Sequence, residues 1–115
     1  MSAWPPPPPE VPEVDLDQLD GARAQGAPVL DVRQPEEYDA GHVPGARLIP
    51  LSEVARRVGE VPAEGRVYVI CLSGSRSAKA TEFLRRRGVD ARNVAGGTKA
   101  WAESGRPLAR GPLPG

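Results

Sequence analysis

The sequence predicts an α/β protein with a mainly parallel β-sheet covered by helices on both faces. Short apolar segments alternate along the chain with segments of helical pattern, an order typical of parallel sheets. Residues 67–70 form a β-branched apolar run of the kind found in a buried central strand. Residues 77–87 then place Ala80, Phe83 and Leu84 on one face of the longest predicted helix.

The chain before the central strand begins with a helix and a strand. Asp15 or Asp17 is predicted to cap a helix that ends near residue 24, and Gly26 follows as a helix stop. Residues 29–32 form a short apolar strand. A helix followed by a strand continues the alternation on which the fold class rests.

Capping and turn residues predict the remaining elements. Pro35 suits the first position of a helix, because its missing N–H would have no helical partner there. Ser52 is a helix N-cap residue, and Gly88 suits the end of the longest helix. In chain order we predict a helical turn at 35–38, a turn at 41–46, a strand at 47–49, a helix at 52–58, a strand at 91–95 and a helix at 98–103.

Two proline-rich ends frame a single predicted domain. The chain has 115 residues, about one domain, and we assign residues 12–107 to it. Residues 1–11 carry a proline run that prefers polyproline II and forms either a tail or a ligand for a proline-binding module. Residues 108–115 are predicted to be a C-terminal tail.

Composition argues against nucleic-acid and membrane partners. The formal charge is zero and only five residues are aromatic, so neither a basic surface nor a base-stacking platform is expected. No apolar stretch approaches the roughly 20 residues that span a bilayer. Residues 1–11 lack the basic and apolar regions of a signal peptide. We therefore expect a cytoplasmic protein.

The charges are unevenly distributed along the chain. Residues 1–60 carry eleven acidic and five basic residues, whereas residues 61–115 carry four acidic and ten basic ones. The second half contains the only cysteine, Cys71. This excess of positive charge suits an anionic substrate, and it is equally consistent with a solvated basic helix face.

Cys71 is the leading candidate for a catalytic group. A single cysteine excludes an intramolecular disulfide and a multi-cysteine zinc site, and we expect no metal. The thiol stands after the central strand and before a helix start, where unpaired N–H groups favour an anion and hence the reactive thiolate. The alternative is a structural cysteine buried in the core.

The residues that follow the thiol predict an anion-binding loop. Gly74 permits a tight turn, which aims successive N–H groups at one point. Ser73 and Ser75 add hydroxyl donors, and Arg76 adds a positive fork. We therefore predict that the substrate-binding residues are Leu72, Ser73, Gly74, Ser75, Arg76 and Ser77.

Four ordered segments of the chain resemble the rhodanese family of sulfurtransferases. The cysteine loop resembles the active-site loop of that family, and the likeness extends over about residues 13–107. The segments are Asp31-Val-Arg33, Glu37-Tyr38 with Gly41-His-Val-Pro-Gly-Ala46, Cys71-Leu-Ser-Gly-Ser-Arg-Ser77, and Gly96-Gly97 with Ala100-Trp101.

The resemblance implies a rhodanese-like fold with a parallel five-stranded sheet, and a two-stage reaction without a cofactor. Cys71 would attack the outer sulfur of a small anionic donor such as thiosulfate and become a persulfide. A thiophilic acceptor, cyanide or a thiol, would then remove that sulfur. A sulfur-donor or sulfur-acceptor protein is a further possible partner.

Several flanking residues have two interpretations each. Arg76 either binds the sulfonate end of the donor or pairs with an acid and supports the loop. Asp31 and Arg33 either shape the site or form a structural ion pair or loop anchor. His42, the only histidine, is either a general base or, as we favour, a hydrogen-bonding residue of its turn.

Two other functions compete with an independent sulfurtransferase. A sulfur-carrier module would use the same thiol to pass sulfur to a cofactor or tRNA thiolation pathway. Phosphatases and arsenate reductases of the same fold family are the less favoured alternative. Such phosphatases have arginine six positions after the cysteine, whereas Cys71 and Arg76 are five apart and Ile70 precedes the thiol.

Overall fold

A computed structural model describes residues 11–115. Residues 1–10, which belong to the predicted proline-rich tail, lie outside the described residues. The described chain forms a sheet of five strands in the order β1-β5-β4-β2-β3, and each neighbouring pair is parallel. This confirms the predicted fold class. The strands are β1 Glu13–Val14, β2 Val29–Asp31, β3 Arg47–Leu48, β4 Arg66–Ile70 and β5 Asp90–Val94.

Helices cover both faces of the sheet, as predicted. They are α1 Leu16–Ala24, α2 Pro35–Ala40, α3 Ser75–Arg86 and α4 Gly97–Glu103. Residues of α3 pack in one apolar cluster, and residues of α1, α2 and α4 pack in the other. The central strand divides its side chains between these clusters, since Val67 and Val69 lie on the α3 side and Tyr68 and Ile70 on the opposite side.

Local capping explains where α1 begins. Asp15 accepts a hydrogen bond from the backbone N–H of Gln18, and the Gln18 side chain accepts one from the backbone N–H of Asp15. This reciprocal box satisfies two N–H groups that the first helical turn leaves unpaired. Gly26 then turns the chain with a φ of 85°. Of the two predicted caps, Asp15 is the one observed.

The predicted helix over residues 52–58 is wrong. Two short 3₁₀ turns occupy the region, Leu51–Glu53 and Val58–Glu60. Pro50 stands at the N-cap position of the first turn, with no side-chain hydrogen bond there. Because Ser52 lies inside the turn, its hydroxyl cannot cap a longer helix.

The segment that follows residue 107 lies against the turn formed by residues 41–45. Ala109 and His42 exchange backbone hydrogen bonds of 2.9 and 2.8 Å. The N–H of Gly45 donates to the carbonyl oxygen of Pro114 at 2.9 Å. Backbone hydrogen bonds therefore continue past residue 107, the predicted end of the domain. The assignment of the domain to residues 12–107 stays a prediction.

Within residues 11–115, none of the helices has the length and apolar character required to cross a membrane.

Candidate active site

Cys71 directly follows the central strand β4 and lies at the carboxyl-terminal edge of the sheet. Only three residues separate it from α3, and Gly74 is the N-cap of that helix with a φ of 115°. This left-handed conformation favours glycine at the cap. The thiol therefore lies close to the N–H groups at the start of α3.

The Cys71 side chain is buried beneath an exposed rim. Its exposed fraction is 0%, and it borders the apolar cluster on the α3 side. Leu72, Ser73 and Ser75 around it are exposed. This burial is the feature expected of a structural cysteine, and the catalytic role of Cys71 stays a prediction.

The polar contacts of the Cys71 sulfur include two hydrogen-bond donors. The backbone N–H of Gly74 lies 3.1 Å from Sγ of Cys71, and Oγ of Ser77 lies 3.3 Å from it. Burial alone would raise the pKa of the Cys71 thiol. Hydrogen bonds from the Ser77 hydroxyl and from the backbone N–H groups of Ser77, Gly74 and Ser73 outweigh burial, so the pKa is lowered. The direction agrees with the sequence-based expectation.

The carbonyl groups next to the thiol are held by the start of α4. The N–H and the hydroxyl of Thr98 donate to the carbonyl oxygen of Cys71 at 2.8 and 3.0 Å. The N–H of Lys99 donates to the carbonyl oxygen of Leu72 at 3.0 Å. These bonds fix the orientation of both peptide groups and engage their oxygens on the α4 side.

Gly97 makes this close approach possible. A Cβ at this position would lie 2.4 Å from the carbonyl oxygen of Leu72 and 2.6 Å from that of Cys71, and φ is +61°. Only a residue without a side chain fits both the space and the conformation. The Gly96-Gly97 segment therefore supports the cysteine loop directly.

Arg76 is paired with an acidic residue of α2. Its Nη1 and Nη2 donate to the two carboxylate oxygens of Glu37 at 2.7 and 2.9 Å. This bidentate bond lowers the pKa of Glu37 to about 2, against the opposing effect of burial. The pair links the start of α3 to α2, which is the contact expected of a loop support. The substrate-binding role of Arg76 stays a prediction.

Comparison with known proteins agrees with this geometry. The chain matches the family of rhodanese-like domains over residues 15–104. The chain belongs to this family. A solved structure of a rhodanese-related protein from Thermoplasma volcanium superposes on it with a TM-score of 0.80 at 33% identity, covering 85% of this chain and 97% of that one.

Three curated relatives of the rhodanese-like chain share between 35% and 41% of the aligned residues with it. A sulfurtransferase from Allochromatium vinosum is 35% identical over 84% of this chain and 92% of its own length. The uncharacterized protein YqhL and the putative sulfur carrier protein YrkF, both from Bacillus subtilis, are 41% and 40% identical over 65% and 64% of this chain. The match spans only 60% and 40% of the lengths of those two proteins.

Asp31 and Arg33 form a closed ion pair beside the rhodanese-like site. Nη2 of Arg33 donates to Oδ2 of Asp31 and to the carbonyl oxygen of Gly41, both at 2.8 Å. The two charged residues have exposed fractions of 0% and 3%. Arg33 thus makes both contacts expected of a structural pair and loop anchor.

His42 has hydrogen-bond partners at both ring nitrogens. Nδ1 lies 2.8 Å from the carbonyl oxygen of Tyr38, and Nε2 lies 3.0 Å from those of Leu113 and Pro114. The ring stacks on Tyr38 with centroids 3.7 Å apart. These contacts are those of a structural residue of the turn, as we favoured from the sequence.

Sequence reasoning did not identify Asn93 of β5, a further polar residue of the site. Its side chain is 1% exposed and contacts both Ser77 and Gly74. An amide side chain at the middle of the predicted strand 91–95 was the available signal, because an amide that becomes buried in a strand requires partners. Across residues 11–115, the His, Cys, Asp and Glu side chains form no group that could hold a metal ion.

Proposed function

We propose that this rhodanese-like domain transfers a sulfane sulfur through a persulfide on Cys71. The observation that supports the proposal most directly is the set of donors that converge on Sγ, a backbone N–H at 3.1 Å and a hydroxyl at 3.3 Å. The oxygens of the adjacent peptide groups are engaged by α4. Such a cradle stabilises negative charge on sulfur without a metal.

In the first half-reaction, the Cys71 thiolate attacks the outer sulfur of thiosulfate. A new S–S bond forms to Sγ, the S–S bond of the donor breaks, and sulfite leaves with its electron pair. The lowered pKa of the thiol increases the fraction of Cys71 present as this nucleophile. No separate general base is then required, in agreement with the structural contacts of His42.

In the second half-reaction, an acceptor removes the transferred sulfur. Cyanide or a thiolate attacks the outer sulfur of the persulfide and forms a bond to it, while the S–S bond to Cys71 breaks. The bonding electrons return to Sγ and regenerate the thiolate. The cradle that stabilises the free thiolate therefore also stabilises the leaving group of this step.

The loop residues have distinct proposed roles. Gly74 and Ser77 provide the donors to sulfur, and the exposed Leu72, Ser73 and Ser75 line the approach to it. Arg76 lies at the same helix start and interacts electrostatically with the thiol. We propose that it also attracts the sulfonate end of the donor.

Intact-mass measurement after treatment with thiosulfate tests the proposal. The chain is expected to gain the mass of one sulfur atom and to lose it again on addition of cyanide. The variant Cys71→Ser is the control and should gain nothing. A wild-type chain that gains no sulfur, or a control that gains it equally, would refute sulfur transfer through this residue. Hydrolysis of an aryl phosphate would instead support the phosphatase alternative.

The two half-reactions separate the roles of Arg76. Arg76→Ala should raise KM for thiosulfate more than it slows the attack of cyanide on a preformed persulfide, because only the donor carries a sulfonate. Equal losses in both half-reactions would assign Arg76 to loop support alone. Stopped-flow measurement of each half-reaction provides the comparison.

A sulfur-carrier role is the second candidate, and one surface feature favours it. Leu72, next to the thiol, is 43% exposed, and an exposed apolar side chain at the rim suits contact with another protein. Similarity to the putative sulfur carrier YrkF points the same way. We propose that the partner would be a protein that presents or accepts a persulfide.

Leu72→Ala tests this second candidate against a matched control. It should slow sulfur exchange with a persulfide-bearing protein more than the reaction with thiosulfate. Leu113→Ala removes another exposed apolar side chain, 73% exposed and distant in sequence from the loop, and should change neither rate. Equal effects of Leu72→Ala on the protein and small-molecule reactions would argue against a docking role.

A further inference from the structure

One hydroxyl proton in the site has two possible acceptors. Oγ of Ser77 lies 2.5 Å from Oδ1 of Asn93 and 3.3 Å from Sγ of Cys71. All three groups are buried. A serine hydroxyl has a single proton to donate, so it cannot serve both acceptors fully at the same time.

The orientation of the Asn93 amide is determined by its other partners. Nδ2 lies 3.2 Å from the carbonyl oxygen of Gly74 and 3.2 Å from Oε2 of Glu13. Both partners are acceptors, so the nitrogen of the amide must face them. The oxygen is thereby directed toward the Ser77 hydroxyl.

Two proton arrangements follow from this geometry. With a neutral thiol, the S–H of Cys71 donates to Oγ of Ser77, whose hydroxyl donates to Oδ1 of Asn93. With a thiolate, the hydroxyl donates to Sγ, and the buried Oδ1 loses its donor. Leaving a buried acceptor without a donor is unfavourable, so the amide oxygen favours the neutral arrangement.

We propose that Asn93 is a positioning residue whose Oδ1 competes with Cys71 for the Ser77 proton and so limits the thiolate fraction. The inference deepens the proposed function, because sulfur transfer requires that thiolate. Asn93 acts through Ser77, and its side chain is hydrogen-bonded to Ser77, Gly74 and Glu13. Its effect opposes that of the N–H groups, which favour the anion.

The charged groups around the site come from four elements. Arg76 of α3 interacts electrostatically with the thiol and is paired with Glu37 of α2. Asp31 of β2 is paired with Arg33, and Glu13 of β1 contacts the amide nitrogen. Neither Ser77 nor Asn93 is charged, so the competition can be altered without removing a charge.

The test measures the thiol pKa from the pH dependence of alkylation by iodoacetamide. Burial slows alkylation at every pH, but the midpoint of the profile still reports the pKa. Asn93→Leu keeps the approximate volume and removes the competing acceptor. We expect a decrease of about one pKa unit, which is a tenfold rise in thiolate below the midpoint. In a Ser77→Ala background, the same substitution should cause no shift.

The alternative role of Asn93 produces the opposite result. If its amide only supports the loop through Gly74, Asn93→Leu should raise the thiol pKa and the increase should persist in the Ser77→Ala background. Either that outcome or an unchanged midpoint would overturn the proposal. Asn93→Ala provides a second, smaller substitution, and far-UV circular dichroism checks the fold of each variant.

A measurement on the unchanged chain provides an independent test. Cys71 is the only cysteine, so the infrared S–H band of the protein reports this thiol alone. Below the midpoint, a band shifted to lower frequency indicates that the thiol donates to Ser77, and an unshifted band contradicts the proposed arrangement. Neither measurement uses a sulfur donor, so failure here is distinct from failure to form a persulfide.

Discussion

Two buried polar sites at the carboxyl-terminal edge of the sheet differ in the charge of the groups that surround the buried side chain. The Asp31–Arg33 site joins an anion to a cation, with a contact of 2.8 Å and a further bond to a carbonyl oxygen. The Cys71 site surrounds a neutral or anionic sulfur with neutral donors. In the first site the two charges balance each other, whereas the second site can accommodate a negative charge on the sulfur.

This difference distinguishes a structural polar site from the proposed reactive site. A closed ion pair resists change, because removing either partner leaves an uncompensated buried charge. A cradle of N–H and hydroxyl donors tolerates two charge states of the group inside it. Burial alone therefore does not distinguish the two sites, since Asp31 and Cys71 are both 0% exposed.

The largest effect is expected from breaking the ion pair. Asp31→Asn keeps the shape but leaves the Arg33 charge buried, so it should lower the free energy of unfolding by about 3–5 kcal/mol. Urea denaturation measures the change. Glu82→Gln, which breaks the exposed pair with Arg86, is the control and should have little effect. Equal effects of the two substitutions would show that the buried pair contributes no more to stability than the exposed pair.

A smaller but still large loss is expected at Gly97. Gly97→Ala would place Cβ within 2.6 Å of two backbone oxygens in a positive-φ conformation, so we expect a loss of about 2–4 kcal/mol together with slower sulfur transfer. Gly21→Ala is the matched control, because nothing lies within 4 Å of its Cβ inside α1. It should stabilise the chain by about 0.5–1 kcal/mol. If Gly97→Ala changed neither the free energy of unfolding nor the rate of sulfur transfer, α4 would not constrain the loop.

Removing a donor to Sγ should change the pKa of the Cys71 thiol more than the free energy of unfolding. Ser77→Ala removes a donor to Sγ and should raise the thiol pKa by about one unit, measured by the pH profile of alkylation. Thr81→Val is the control on the same helix, because within the described residues its buried hydroxyl has no hydrogen-bond partner. An equal shift in both variants would assign the change to helix packing.

The smallest effect is expected at the Glu37–Arg76 pair. The pKa of Glu37 falls from 4.5 to about 2 in the folded chain. The carboxylate therefore stabilises the fold above pH 4.5, and this contribution is lost as the pH falls toward 2. Glu37→Gln should cost at most about 1 kcal/mol at pH 7, since the pair is partly exposed. The difference from wild type should shrink at pH 3, and a constant difference would exclude an ionic origin.

Much of the fold could be predicted because its signals are local. The β4 strand, the cysteine and the helix after it are adjacent in sequence, so their order placed Cys71 at a sheet edge. The Asp15 cap of α1 is also a local pattern. By contrast, β1 has only two residues and depends on pairing with β5, so no periodicity could reveal it.

The contacts that complete the site are long-range, and the sequence did not identify the partners in them. Glu37 and Arg76 are 39 positions apart, and Asn93 is 16 positions from Ser77. Nothing in the local sequence specifies which acid meets Arg76 or which acceptor meets the Ser77 hydroxyl. The loop residues could thus be named from the sequence, whereas the partners that orient them could not.

The dependence of the cysteine loop on α4 has a consequence for protein synthesis. Thr98 and Lys99 hold the loop, and the ribosome produces them more than 25 residues after Cys71. During elongation, the carbonyl oxygens of Cys71 and Leu72 lack these partners until α4 has been synthesised, so the cysteine loop is completed only when the last helix docks.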